Sequence, residues 1–206
     1  TQPAGWTAPD EGKWNRITQT SGGTVAVADN RLVLGVANTS GSNSAVTLNH
    51  PNTADSELRF DYQPFDTTAA NQTTLRVRTR TNYTTNTSYM LSLRSDTATA
   101  TISKVVSGAA TTLATFAIPA SSGPRRVLVR TVGSQVAVKV WDPAVGGEPV
   151  AATATVTDAS IATAGLTGLQ AVRQSGTNQM RVDNVVYTAN PDTPQPAVGV
   201  YSYNAD

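Results

Sequence analysis

The sequence predicts an all-β protein, an antiparallel jelly-roll sandwich of two sheets with minimal helix. Three observations support this. Apolar and polar residues alternate along segments such as 57–63, where Leu58, Phe60 and Tyr62 share one side, as in an extended strand with one buried face. Turn residues recur at intervals of about 8–12 residues, which is the spacing of sandwiches and jelly rolls. No segment shows the apolar period of about 3.6 residues that marks an amphipathic helix.

The predicted strands follow one another from residue 24 onward. Thr24–Ala28 and Arg31–Val36 flank Asp29-Asn30, which is a two-residue hairpin signal. The remaining strands are predicted at about 44–49, 56–63, 72–80, 88–95, 99–106, 110–117, 125–132, 135–141, 149–157, 164–173 and 179–188. Glycines punctuate the gaps, as at Gly133-Ser134 and Gly146-Gly147. With 206 residues, the chain can bury the core of one large β-domain.

The two ends differ from this pattern. Residues 1–23 are expected to be an irregular lead-in to a domain that ends at residue 189. Residues 190–197 contain Pro191, Pro194 and Pro196 and are expected to form a linker. Residues 198–206 alternate again, as either the start of a following element or a strap that returns to the domain. Because the chain begins Thr1-Gln2-Pro3, we expect a processed protein or a segment of a longer one.

Composition excludes several classes of function. Cysteine is absent, so disulfides and cysteine-based metal or nucleophile sites are excluded. A net charge of +1 argues against nucleic acid as a main partner. No apolar run approaches the roughly 20 residues that a membrane-spanning helix needs, so we expect no membrane insertion.

Several segments in order resemble one known superfamily. They are 30–34, 57–62, 89–93, 102–106, 126–133, 138–141, 148–149, 157–158, 165–166 and 182–185. Over residues 14–189 the chain resembles the concanavalin A-like lectin/glucanase superfamily, in its laminin-G-like jelly-roll branch. Modules of this kind occur in secreted bacterial proteins and in phage tail proteins, where they bind surface glycans or act as spacers. The stretch from Trp141-Asp142 to Glu148-Pro149 is similar to those versions in particular.

The resemblance implies a non-catalytic recognition or adhesion module on a virion surface, in a phage tail, or in an extracellular protein. Its partner would be a cell-surface glycan or a neighbouring subunit of the assembly. A purely structural spacer is the alternative. A glycoside hydrolase is a third hypothesis, because glycosidases of this superfamily carry a Glu-x-Asp-x-Glu strand. Here Glu57 and Asp61 have the outer spacing, but Arg59 stands between them and would keep both ionised. We therefore predict no enzyme and no catalytic residues.

Candidate ligand-binding residues lie on the polar side of the predicted central strands. They are Arg59, Arg76, Arg78, Arg94, Lys139 and Trp141. On one shared face, the arginines would hydrogen-bond hydroxyl or anionic groups and the indole would stack on a sugar ring. Such a face would favour an acidic glycan. An ordinary solvated face whose charges prevent edge pairing is the competing interpretation.

A metal site is a further expectation from the resemblance. Members of the superfamily often hold one structural calcium ion near the sheet edge with carboxylate and backbone oxygens. Asp183 matches such a position, and Asp10 or Asp29 could join it. No cofactor is expected to be required.

Overall fold

The part of the chain that the structure describes contains fifteen strands. The structure is a computed structural model, and it describes residues 14–29, 31–48, 50–64, 68, 70–94, 97–119, 123–191 and 201–202, with the backbone alone for 14–20, 64 and 201–202. The strands are β1 Trp14–Thr20, β2 Thr24–Ala28, β3 Arg31–Val36, β4 Asn43–Leu48, β5 Ser56–Pro64, β6 Thr73–Asn82, β7 Thr87–Arg94, β8 Thr99–Val106, β9 Ala109–Ala117, β10 Arg125–Val132, β11 Gln135–Trp141, β12 Ala154–Thr157, β13 Leu166–Arg173, β14 Asn178–Ala189 and β15 Tyr201–Ser202. Over these residues no helix is long and apolar enough to cross a membrane.

The strands form two antiparallel sheets. Sheet A has the order β1-β4-β13-β6-β7-β8-β9, and sheet B has the order β12-β11-β10-β5-β14-β3-β2, with β15 paired to β14. Six of the thirteen pairings join strands that are not consecutive in the chain, as in a jelly roll. The predicted all-β, two-sheet fold is confirmed.

The core lies between the sheets and is built by the alternation seen in the sequence. Leu58, Phe60 and Tyr62 of β5 are at most 1% exposed, and Leu75 and Val77 of β6 oppose them from sheet A with the same burial. Burial of such side chains contributes about 1.5–3 kcal/mol each. The outward residues of the same strands, including Arg59 and Arg76, remain partly exposed.

Two stretches differ from the predicted elements. Trp14–Thr20, inside the expected irregular lead-in, is a strand paired with β4. The strand predicted at 149–157 contains only Ala154–Thr157, because the amide of Val140 donates to the Thr153 hydroxyl at 3.0 Å instead of to another strand. At the predicted hairpin, Asp29 has the left-handed φ of 51° that such turns need, whereas Asn30 lies outside the described residues.

The expected linker falls mostly outside the described residues, which exclude 192–200. Tyr201–Ser202 pairs with Tyr187 and Val186 of β14. The division into a domain, a linker and a final segment stays a prediction.

Arg80 marks a bulge in the middle of sheet A. Its φ is +50°, and the pairing of β6 with β7 shifts register between Thr79 and Asn82. An irregularity of this kind interrupts strict alternation. Strict alternation would place Arg80 outward with Arg76 and Arg78, but it is only 3% exposed. Its guanidinium instead donates hydrogen bonds to loops that connect the strands.

A second polar cluster joins the sheets around Asp158, which follows β12. Its carboxylate accepts hydrogen bonds from Tyr89 at 2.8 Å, from Lys104 at 2.9 Å, and from the amide of Ser160 at 2.9 Å. The Ser160 hydroxyl also donates to it. The Ser160 hydroxyl first, and then Lys104, hold the pKa of Asp158 well below its usual range, against the opposing effect of burial.

We expect Asp158→Asn to lower the free energy of unfolding by about 1–3 kcal/mol at pH 7, since charge-assisted hydrogen bonds are lost. A depressed carboxyl pKa stabilises the fold fully above its unfolded value, and this stabilisation is lost as the pH falls through the folded value. The gap between wild type and variant should therefore shrink below about pH 4. Urea denaturation of both proteins at pH 7, 4 and 2.5 measures it. A gap that stays constant with pH would show that packing, not charge, is responsible.

Candidate functional site

The six candidate binding residues do not share one face. Arg59, Lys139 and Trp141 belong to β5 and β11 of sheet B, whereas Arg76, Arg78 and Arg94 belong to β6 and β7 of sheet A. Since the polar side of each strand points away from the core, the two groups lie on opposite outer surfaces of the sandwich. The single shared face predicted from the sequence is therefore wrong.

On sheet B the charges neutralise one another. Glu148 accepts hydrogen bonds from Arg59 at 2.6 Å and from Lys139 at 2.8 Å. Lys139 first, and Arg59 after it, lower the pKa of Glu148. Trp141 is only 6% exposed, so its ring is not presented for stacking on a sugar. This side of the molecule offers a ligand few unused polar groups.

The two carboxylates of the hydrolase hypothesis also lie on sheet B. Asp61 is held by the two guanidinium nitrogens of Arg126 at 2.6 and 2.7 Å and by the Asn184 amide at 2.8 Å. Glu57 lies 3.7 Å from Arg59 and 4.0 Å from Arg130. Both carboxylates are therefore engaged by arginine side chains, as in structural ion pairs.

The outer surface of sheet A contains a cleft of about 270 Å³. Its lining residues are Ala45, Arg78, Tyr83, Asn86, Gly168, Leu169 and Gln170. The strands β4, β6 and β13 form its floor, and the turn between β6 and β7 supplies Tyr83 and Asn86. The cleft requires a glycine at position 168, because a Cβ atom there would lie 2.6 Å from the Val46 carbonyl oxygen and 2.9 Å from the Tyr83 hydroxyl.

Arg76, Arg78 and Gln170 stand next to one another on this surface. Gln170 is opposite Arg76 and Gly168 is opposite Arg78 in the pairing of β13 with β6. The Nε atoms of both arginines and the Oε1 atom of Gln170 are buried and have no hydrogen-bond partner among the described residues. Arg78 also donates through Nη1 to the Asn86 side chain at 2.9 Å. In the described part of the chain, three polar atoms on adjoining positions thus have no hydrogen-bond partner, which native folds usually avoid.

Burial alters the ionisation of these groups. It lowers the pKa of Arg76, and the nearby charge of Arg78 lowers it further. Burial likewise lowers the pKa of Arg78 and raises that of Tyr83 to about 12. Guanidinium groups remain charged in proteins, so two partly dehydrated cations lie side by side. Such an arrangement is unfavourable until an acceptor or an anion approaches.

Arg94 lies on the same surface but engages a neutral partner. It is opposite Thr74 in the pairing of β7 with β6, and its Nη2 donates to Gln72 at 3.1 Å. Of the candidate residues, Arg78 therefore lines the cleft, and Arg76 lies beside it, opposite Gln170.

No sequence pattern pointed to Tyr83, Asn86, Gly168 or Gln170. Gln170 could have been noticed as an outward residue of a predicted strand. The other three are visible only once the strand order places β13 beside β6.

The residues around Asp183 do not fit a calcium ion. Asp183 forms an ion pair with Arg31 at 3.3 Å, and it accepts the amide of Asn184 at 2.8 Å. Asp29 is exposed, and Asp10 lies outside the described residues. In the described part of the chain, no group of three acidic, histidine or cysteine side chains could hold a metal ion.

Comparison with solved structures identifies the fold. The carbohydrate binding module CBM66 from Bacillus subtilis matches with a TM-score of 0.63 at 15% identity, over 86% of this chain and 96% of that one. The VIP36 exoplasmic/lumenal domain in its Ca2+/Man3GlcNAc-bound form matches with a TM-score of 0.60 at 12% identity, over 87% of each chain. The apo Crh5 transglycosylase matches with a TM-score of 0.61 at 11% identity, over 90% of this chain and 82% of that one. No protein-family model and no curated protein matches the sequence.

These likenesses show a concanavalin A-like jelly roll, as the sequence resemblance indicated. At such low identity they show the fold alone.

Proposed function

We propose that this chain is a non-catalytic recognition module that binds a glycan in the cleft on the outer surface of sheet A. The observation that carries the proposal is the group of unused polar atoms on Arg76, Arg78 and Gln170 beside a cleft of about 270 Å³. Sites for small ligands combine a concave surface with a few convergent polar groups. The fold agrees, because it is shared with a carbohydrate binding module and with a lumenal domain bound to Man3GlcNAc.

The module would act outside the cell or on a virion surface, as part of a phage tail or of a secreted multidomain protein. Its partner there would be a cell-surface glycan, with neighbouring subunits holding it in place. The likeness to a transglycosylase does not favour catalysis, because Asp61 and Glu57 both face guanidinium groups.

A structural spacer is the second candidate function. The observation that favours it is the closed ion-pair network on sheet B, where Arg59, Lys139 and Glu148 satisfy one another. A spacer would leave the cleft of sheet A without a ligand. The two functions therefore differ in whether the protein binds any glycan.

Binding to a glycan array and to whole bacterial cells tests the proposal. Wild type should bind a subset of glycans, and Gln170→Ala and Tyr83→Ala should each weaken binding by about fivefold or more, because each removes a polar contact worth roughly 1 kcal/mol. Gln179→Ala is the matched control, since Gln179 is an exposed residue of β14 in sheet B. Binding lost equally in all three variants would place the site elsewhere.

Absence of binding by the wild-type protein, both to the array and to the cells, would favour the structural spacer. Release of reducing ends in the same incubations would instead indicate a hydrolase.

A further inference from the structure

Five arginines of this protein, which are Arg31, Arg59, Arg80, Arg126 and Arg130, each lie within 4.0 Å of an aspartate or glutamate. Arg76 and Arg78 differ from these five, since neither forms such a pair within the described residues. Two neighbouring cations without a counter-charge, on a surface that partly dehydrates them, form an anion-binding arrangement.

The molecule itself shows how such a group would be held. Arg126 binds Asp61 through Nε and Nη2, at 2.6 and 2.7 Å, which is the two-pronged geometry of guanidinium and carboxylate. In Arg76 and Arg78 the Nε atom has no partner among the described residues. The two side chains are two positions apart on one strand and project from the same face, about 6.6 Å from each other along the chain.

Gln170 adds a second requirement. Its Oε1 is an acceptor without a described partner, and an anion has no proton to give it. A hydroxyl group does. A ligand that neutralises the two cations and also satisfies Gln170 must therefore carry both an anionic group and a hydroxyl. A neutral sugar lacks the first, and a fully ionised inorganic anion such as sulfate lacks the second.

We infer that the ligand of this cleft is an acidic saccharide, whose anionic substituent lies between Arg76 and Arg78 while a ring hydroxyl donates to Gln170. This inference rests on the proposed function and specifies its ligand class. The substituent is a carboxylate, sulfate or phosphate, all of which accept the paired hydrogen bonds of a guanidinium. Binding of this kind weakens as salt rises, because the charges are near the surface.

The experiment compares polymers that differ in charge but not in backbone. Polygalacturonate is paired with its methyl ester, dextran sulfate with dextran, and phosphomannan with unphosphorylated mannan. Affinity is measured by titration calorimetry of the full chain at low and high NaCl. We expect at least one acidic polymer to bind about tenfold more tightly than its neutral partner, since a charge-assisted contact is worth that much. The pair that responds identifies the anionic group.

The variants assign the effect to the cleft. Arg76→Gln and Arg78→Gln should each weaken binding of the acidic polymer by about tenfold. Arg31→Gln removes the same charge from sheet B, where Arg31 pairs with Asp183, and it should leave the affinity unchanged. Urea unfolding of all three variants confirms that each is folded.

The outcomes separate the two proposals. Equal binding of acidic and neutral polymers in the cleft keeps the glycan function and overturns the acidic specificity. An acidic preference that Arg31→Gln reduces as much as Arg76→Gln reflects net charge alone and also overturns it. Absence of binding to every polymer, with negative glycan-array results, overturns both.

Discussion

Replacing Arg80 with methionine should lower the free energy of unfolding by about 3–5 kcal/mol, which is the range for removing one partner from a buried charged network. Urea denaturation at pH 7, followed by far-UV circular dichroism, measures this change. The side chain is only 3% exposed. It stands at the bulge of β6, where its backbone already adopts a φ of +50°.

The large effect follows from what the guanidinium satisfies. Nη1 donates to the Ile161 carbonyl at 2.7 Å, and Nη2 donates to the Gly133 carbonyl at 2.6 Å. Nε donates to the Ala54 carbonyl, and Nη2 also reaches Asp55 at 3.1 Å. Methionine fills much of the volume but donates no hydrogen bond, so backbone carbonyls of three separate loops lose their partner. Each such loss costs about 1–3 kcal/mol when the group stays buried.

Arg76→Met is the control for this prediction. It changes the same residue type in the same strand, but Arg76 has an unpartnered Nε and a cationic neighbour. Its removal should change the stability by less than about 1 kcal/mol, and in the stabilising direction if function has been favoured over stability. Equal losses in the two variants would show that Arg80 is no more important to the fold than any other arginine of β6.

The fold could be predicted because the alternation of buried and exposed side chains can be recognised within a single strand. Leu58, Phe60 and Tyr62 need no distant information to be recognised as one buried face, and the observed β5 begins at the predicted residue. One strand bound was wrong where a side chain takes the place of backbone pairing. Thr153 beside Val140 is an example, since nothing local distinguishes a hydroxyl acceptor from a strand partner.

The candidate site could be predicted only in part. Alternation shows that Arg59 and Arg76 both point away from the core, but it does not show which sheet contains each strand. Strand order does, and it depends on pairings between segments as distant as β6 and β13. The exposure of Trp141 could not be predicted for another reason. Its position in the strand is outward, yet it is only 6% exposed. Burial by other parts of the chain cannot be inferred from a period of two.

A local irregularity explains why Arg80 departs from the alternation of its strand. The residue continues the pattern of Arg76 and Arg78 in the sequence, but the bulge turns it inward. The partner of that bulge is a glycine on the neighbouring segment, at position 165. At these two positions the backbone of β6 lies close to the segment that leads into β13.

Replacing Gly165 with alanine should destabilise the protein by about 3 kcal/mol, at the upper end of the usual cost of overpacking. A Cβ atom at this position would lie 2.4 Å from the carbonyl carbon of Arg80 and 2.6 Å from the amide nitrogen of Thr81. These are backbone atoms, which cannot rotate away as a side chain could. Gly165 also exchanges two hydrogen bonds with Thr53, at 3.0 and 3.1 Å, so a shift to relieve the clash would break them.

Gly146→Ala is the matched control, because a Cβ atom at Gly146 would meet nothing within 4 Å. It should be neutral, or stabilising by up to about 1 kcal/mol through a less flexible unfolded chain. Urea denaturation of both variants measures the difference. If Gly165→Ala unfolded at the same urea concentration as Gly146→Ala, the close approach of β6 to this glycine would be wrong. If Gly165→Ala alone is destabilised, the bulge of β6 requires a glycine at this position. Arg76 and Arg78 precede the register shift after Thr79, so they keep the outward positions of strict alternation.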